Sequence, residues 1–174
     1  MRGEILNEFL EFAAEESASV AVSDGVYEPS AGYDTVDLVR LVDRLSAAVG
    51  ESRAALLERF GAHLFRYFAA LYPTFVDDAG SALALLAPID SHIHGELRKL
   101  YPGAEFPTLE CTPLPPDRLE IVYRSARPLA DLAAGLIRGC IEHFGDRLVV
   151  RREDLGGPPG TAARFVIAPD AGNS

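Results

Sequence analysis

A chain of 174 residues is long enough to bury one sizeable core and too short for two independent ones. Its composition, 48% hydrophobic and 24% charged, is globular, and a net charge of −10 argues against nucleic-acid phosphates or anionic membranes as partners, because counterion release needs a basic patch. The two cysteines, Cys111 and Cys140, lie in no CxxC or Cys/His cluster, which fits a reduced compartment and argues against zinc. The acidic, amphipathic opening is unlike a secretory signal and no apolar run is long enough to span a bilayer, so a cytoplasmic protein is expected.

Taken in order, Ile5, Leu6, Phe9, Leu10 and Phe12 repeat at helical spacing and predict a helix over residues 4–16. Residues 17–32 break the pattern with Asp24-Gly25 and Pro29 and read as a connector. Asp34 is placed to cap a second helix over 35–48 that ends at Gly50, and a third runs from Ser52 to Leu71 and stops before Pro73. His63 inside it reads as an ordinary core-edge residue. A fourth helix is expected from Ser81 to Leu100, kinked or restarted at Pro88 and ended by Tyr101-Pro-Gly103.

The period then changes to two. Thr108–Thr112 and Leu119–Ser125 read as strands, followed by a helix from Pro128 to Phe144 with Gly145 at its C-cap, then strands Leu148–Arg152 and Arg164–Ala168. The whole is an α+β domain: a helical part over about residues 1–104, a part over about 105–168 with an antiparallel four-stranded sheet and one long helix, and a tail at 169–174.

Two stretches carry candidate chemistry. In the fourth helix Leu83, Leu86, Ile93, Leu97 and Leu100 form one apolar stripe, with His94 on its flank and His92 turned away, so the two histidines cannot chelate one metal together. A single inward imidazole suits an axial bond to a haem iron, and equally suits a core histidine satisfied by a backbone carbonyl. The second stretch is Tyr123-Arg-Ser-Ala-Arg127. If strand geometry persists through it, a phenol, a hydroxyl and a guanidinium leave one face and make a surface for carboxylates; otherwise it is an ordinary polar strand end. Neither a Ser/His/Asp order nor a phosphate-binding glycine loop is evident, so no enzyme is expected.

Together these stretches resemble the H-NOX family, the haem-nitric oxide/oxygen binding domains found alone in bacteria and as the sensory domain of soluble guanylate cyclase. The resemblance rests on His94 ahead of Tyr101-Pro-Gly103 and Pro107, on the Tyr-x-Ser-x-Arg signature at Tyr123, Ser125 and Arg127, and on the first and third helices. It implies a haem b with His94 as the iron ligand, propionates held by Tyr123, Ser125 and Arg127, and Pro107 pressing on the porphyrin. The distal pocket implied is Ile5, Phe9, Leu64, Leu132 and Leu136; oxygen-binding relatives carry a tyrosine at the position of Leu132. A pocket without a donor implies binding of nitric oxide, and of CO, but not of O2. Release of His94 on NO binding would then signal to a separate histidine kinase or cyclic-di-GMP enzyme. Two features depart from the family pattern: the connector after the first helix is shorter than usual, and Pro88 lies close enough to His94 to rotate it. A non-haem ligand-binding or protein-interaction module on the same scaffold is the alternative.

Overall fold

The computed structural model describes residues 2–16, 27–100 and 105–171. Three helices open the chain: α1 (Gly3–Glu16), α2 (Thr35–Val49) and α3 (Arg53–Leu71). Asp34 caps α2 as expected, and Ser52, expected as the first residue of α3, is its N-cap. The Asp34 carboxylate accepts the Val36 N–H, Gly50 closes α2 in the left-handed conformation, and the Ser52 hydroxyl accepts the Ala55 N–H. Two short helices follow, α4 (Pro73–Asp77) and α5 (Ala82–Leu86). α4 is an addition to the expected order. Pro73 stops α3, yet its fixed φ and missing N–H suit the first position of the next helix equally well.

The sheet contains β1 (Thr108–Leu114), β2 (Arg118–Arg124), β3 (Leu148–Asp154) and β4 (Ala162–Pro169), in the order β1-β2-β4-β3 and antiparallel throughout. Alternation buries Leu119, Ile121 and Tyr123 of β2 and Ala163, Phe165 and Ile167 of β4 on one face. The long helix lies between β2 and β3 in sequence. It spans Ala130–Phe144, starting two residues later than expected: Leu129 stands outside helical geometry at the N-cap, φ −117° and ψ 23°, and the Ala130 N–H, without an intrahelical acceptor in the first turn, bonds the Gly160 carbonyl at 3.0 Å. The expected connector at 17–32 lies partly outside the described residues, and the expected helix end at Tyr101-Pro-Gly103 wholly outside them; residues 27–32 are irregular, with Gly32 bridged to Arg2.

Apolar side chains gather in two clusters. One joins the sheet face to α4, α5 and the long helix through Ala134, Ile137 and Cys140. The other joins α1, α2 and α3 around Phe9, Phe12 and Phe60, whose rings lie 5.0–5.9 Å apart. Each buried aromatic of this kind contributes about 1.5–3 kcal/mol relative to exposure. The long helix serves both clusters, since Leu132 points into the second. It meets α3 backbone to backbone: a methyl on Gly135 would lie 2.0 Å from the Glu58 carbonyl oxygen, and one on Gly61 would lie 2.4 Å from that of Leu132. Only glycine permits this approach.

Burial also governs the cysteines. It pushes the Cys140 thiol up to about 12, with Asp146 adding to the effect, and the half-buried Cys111 up to about 11, with the charge of Asp90 adding to it. Thiolate is the reactive form. Neither thiol is therefore expected to react with iodoacetamide at pH 8 in the folded protein, while both react in urea; rapid labelling of Cys140 without denaturant would contradict the burial.

Candidate functional site

The segment carrying His94 is shaped by Pro88. Proline offers no N–H, and beyond it the hydrogen bonding widens: the His94 N–H reaches the Ile89 carbonyl five residues back, at 3.0 Å. Residues Asp90–His94 form a π-helical turn, and an α-helix, α6 (Gly95–Leu100), continues from it. The helix expected from Ser81 to Leu100 is thus three pieces: α5, the π-turn and α6. Ser81 caps the first, its hydroxyl accepting the Ala84 N–H.

In the π-turn His92 is exposed and the His94 side chain keeps only 17% of its surface accessible. The His94 ring packs on Phe106 at 5.3 Å. Its Nδ1 lies 3.5 Å from Oδ1 of Asp90, and among the described residues this buried nitrogen has no hydrogen-bond partner. Burial lowers the His94 pKa despite the neighbouring carboxylate, so the neutral imidazole is favoured. Asp90 is also held by Arg98: Nη2 donates to Oδ1 at 2.8 Å and Nη1 to the Asp90 carbonyl at 3.3 Å. Burial alone would raise the Asp90 carboxyl; the hydrogen bond and charge of Arg98, with His94, outweigh it and hold the group below its usual range. Arg98 further reaches the Pro107 carbonyl at 3.5 Å and lies over the Phe106 ring. His94 and Pro107 are thereby brought to one cluster.

The Tyr-x-Ser-x-Arg stretch does not keep strand geometry. β2 ends at Arg124, and Ser125 and Arg127 lie in the turn beyond it. The Tyr123 hydroxyl donates to the Arg127 carbonyl at 3.4 Å, and the Ser125 hydroxyl accepts the Arg127 N–H at 3.0 Å. Two side chains expected to project from a strand face thus bond the main chain around the third. The Arg127 guanidinium pairs with the exposed carboxylate of Glu105 at 2.8 Å.

The apolar set is gathered as a group. Phe9, Leu64 and Leu132 are buried in the helical cluster, with Ile5 and Leu136 packed partly buried against it. Their side chains carry no hydrogen-bond donor. The nearby Tyr67 phenol donates to Glu4 at 2.7 Å. His63 lies among Phe12 and Phe60 with Nε2 3.3 Å from the buried Glu8 carboxylate, away from His94's cluster.

The model of the haem-NO-binding family (HNOB) matches residues 8–152, most of the chain. The chain belongs to this family. Solved H-NOX structures agree over its whole length. The Fe(II) unliganded H-NOX protein from K. algicida is 29% identical, with 98% of this chain and 97% of that chain covered and a TM-score of 0.87. The H-NOX protein from S. oneidensis in its Fe(II)NO ligation state is 23% identical over 97% and 98% of the two chains, with a TM-score of 0.86, which speaks for the fold. No curated protein matches the chain.

Membership places this H-NOX domain among haem-based gas sensors and fixes its fold as the helical part and four-stranded sheet described above. Among the described residues no helix is long and apolar enough to cross a membrane. Sequence reasoning passed over Asp90, Arg98 and Phe106. The signal for two of them was present: Asp90, His94 and Arg98 recur at i, i+4 and i+8, one face of a helix, with an acid and a base flanking the histidine.

Proposed function

We propose that this H-NOX domain is a bacterial, cytoplasmic nitric oxide sensor that holds haem b through His94 and signals to a separate protein when His94 lets go of the iron. The observation that carries the reading is His94 itself: a buried, neutral-favouring imidazole, fixed on a π-turn against Phe106, with Nδ1 unpartnered among the described residues. A neutral imidazole is the form that ligates a metal. With Nδ1 turned toward Asp90, Nε2 is the atom left for the bond.

A ferrous haem bound here would supply the metal that takes up a diatomic gas. His94 would hold that metal through its neutral imidazole. Arg127 would exchange the exposed Glu105 for a propionate, a charge-assisted contact of the same kind. Tyr123 and Ser125 hold the Arg127 backbone in place, and Pro107 would lie against the porphyrin. Ile5, Phe9, Leu64, Leu132 and Leu136 exclude water from the distal side and offer no donor to O2, while NO and CO depend less on one. The histidine kinase or cyclic-di-GMP enzyme that receives the signal would read a shift of the helical part against the sheet, a two-state change biased by ligand.

The test is the absorption spectrum of the reconstituted, dithionite-reduced protein before and after NO and air. A five-coordinate ferrous spectrum that changes with NO and persists on brief exposure to air is expected, and Leu132→Tyr, by adding a phenol, is expected to yield a stable oxygenated form. If no stoichiometric haem binds, the scaffold is a non-haem module.

A further inference from the structure

We propose that Asp90 is a positioning residue for His94 and that Arg98 restrains it, the two together setting how firmly His94 grips the iron. The inference rests on the reading of His94 as the ligand and adds to it a control built into the same helix.

Histidines that bind metals commonly give their second ring N–H to a carboxylate, which orients the ring and makes it a stronger donor. Asp90 is the carboxylate in place here, but its Oδ1 has two claimants. It stands 3.5 Å from His94 Nδ1 without a formed hydrogen bond, and 2.8 Å from Arg98 Nη2, which donates to it. Guanidinium is charged at every accessible pH, so it draws negative charge off that oxygen permanently. Arg98 is itself fixed from three sides: the Asp90 carbonyl at 3.3 Å, the Pro107 carbonyl at 3.5 Å and the face of Phe106, the ring that also supports His94. The π-turn contributes too. The His94 N–H bonds to Ile89 in place of Asp90, and Arg98 reaches the Asp90 carbonyl.

The arrangement leaves His94 oriented by a carboxylate yet short of its full electron donation. A moderate bond of this kind suits a sensor whose output depends on the histidine being released. Arg98 bridges α6 to the segment before β1, so a shift between them changes its hold on Asp90.

Resonance Raman spectra of the reconstituted ferrous protein, with Arg98→Met, Asp90→Asn and the double variant beside it, test the proposal through the Fe–His stretching frequency. Arg98→Met is expected to raise the frequency and slow the release of His94 after NO addition by about tenfold, the lower end of what outer-shell changes do at metal sites. Asp90→Asn is expected to lower the frequency, and the double variant to match Asp90→Asn, since Arg98 acts through Asp90. Arg98 is 41% exposed, so its replacement leaves folding intact. Unchanged frequencies in both single variants, with haem stoichiometry retained, would show a surface ion pair and overturn the proposal. A parent spectrum without any histidine-dependent stretch, judged against His94→Gly, would instead remove the ligand reading on which the proposal stands.

Discussion

His94→Gly is expected to abolish the histidine-bound ferrous spectrum, and added imidazole to restore it. The expectation follows from the isolation of His94. Asp90, Arg98 and Phe106 surround it, and none of them is a replacement donor to iron: a guanidinium has no lone pair to give, Phe106 has no heteroatom, and the Asp90 carboxylate is already bonded to Arg98. The loss in haem affinity should exceed the roughly 10–100-fold that follows removal of an outer-shell group, because the ligand itself is gone. The gap left beside Phe106 has the shape of an imidazole, which is why the free base should refill it. The same substitution should affect the apoprotein little. Among the described residues Nδ1 has no hydrogen-bond partner to lose, so the change forfeits packing, and glycine in a helical turn costs about 1 kcal/mol. That corresponds to a fall of about 2–4 °C in Tm for a chain of this size, measurable by circular dichroism. A collapse of the apoprotein would mean that His94 holds the fold.

Gly135→Ala is expected to be the most damaging single methyl addition. The new Cβ would lie 2.0 Å from the Glu58 carbonyl oxygen and 2.8 Å from the Gly61 Cα, both backbone atoms that no side-chain rotation can clear. The two helices must part. Overpacking of this kind costs about 1–3 kcal/mol and sometimes more, set against about 1 kcal/mol gained from the helix propensity of alanine. At a backbone-to-backbone contact the upper end applies, so a net loss of about 2 kcal/mol and a Tm lower by about 4–8 °C are expected. Gly139→Ala, whose Cβ would stand 2.9 Å from the Ala62 Cα and the Phe65 Cβ, should fall between this variant and the parent. The displacement should also be visible in the ligand chemistry, since Leu64 lies on one of these helices and Leu132 and Leu136 on the other. An unchanged melting curve would mean that α3 and the long helix separate at little cost.

The elements of this fold were legible wherever a local signal sets them. Asp34, Ser52, Gly50 and Gly145 bracket their helices because caps act within a turn of their own backbone. The strands declared themselves by alternation, and only their ends moved. Non-local bonds explain most of the differences. The long helix begins late because Leu129 leaves helical geometry, and its first N–H, that of Ala130, is satisfied by a carbonyl thirty positions further along, that of Gly160. The departure of Ser125 and Arg127 from strand geometry depends on side chains bonding back to the main chain, which alternation cannot reveal. In the site, the position of His94 on the flank of an apolar stripe was readable from spacing, whereas the π-turn that aims it was signalled only as a disturbance at Pro88. The pairing of Arg127 with Glu105 was not readable at all, since Glu105 belongs to a different segment.

The turn around Arg127 has a consequence for how such sequences are sorted. Tyr123 and Ser125 are folding instructions, because the Tyr123 hydroxyl donates to the Arg127 carbonyl and the Ser125 hydroxyl accepts the Arg127 N–H. A descendant that gave up its cofactor would still be selected to keep both, for the sake of the corner they build. Among the described residues His94 and the guanidinium of Arg127 show no such second employment, Nδ1 of the one having no hydrogen-bond partner and the other pairing with the exposed carboxylate of Glu105. On the proposed roles, drift would reach those two first, and the pair His94 and Arg127 would separate a working sensor from its retired relatives better than the three-residue signature.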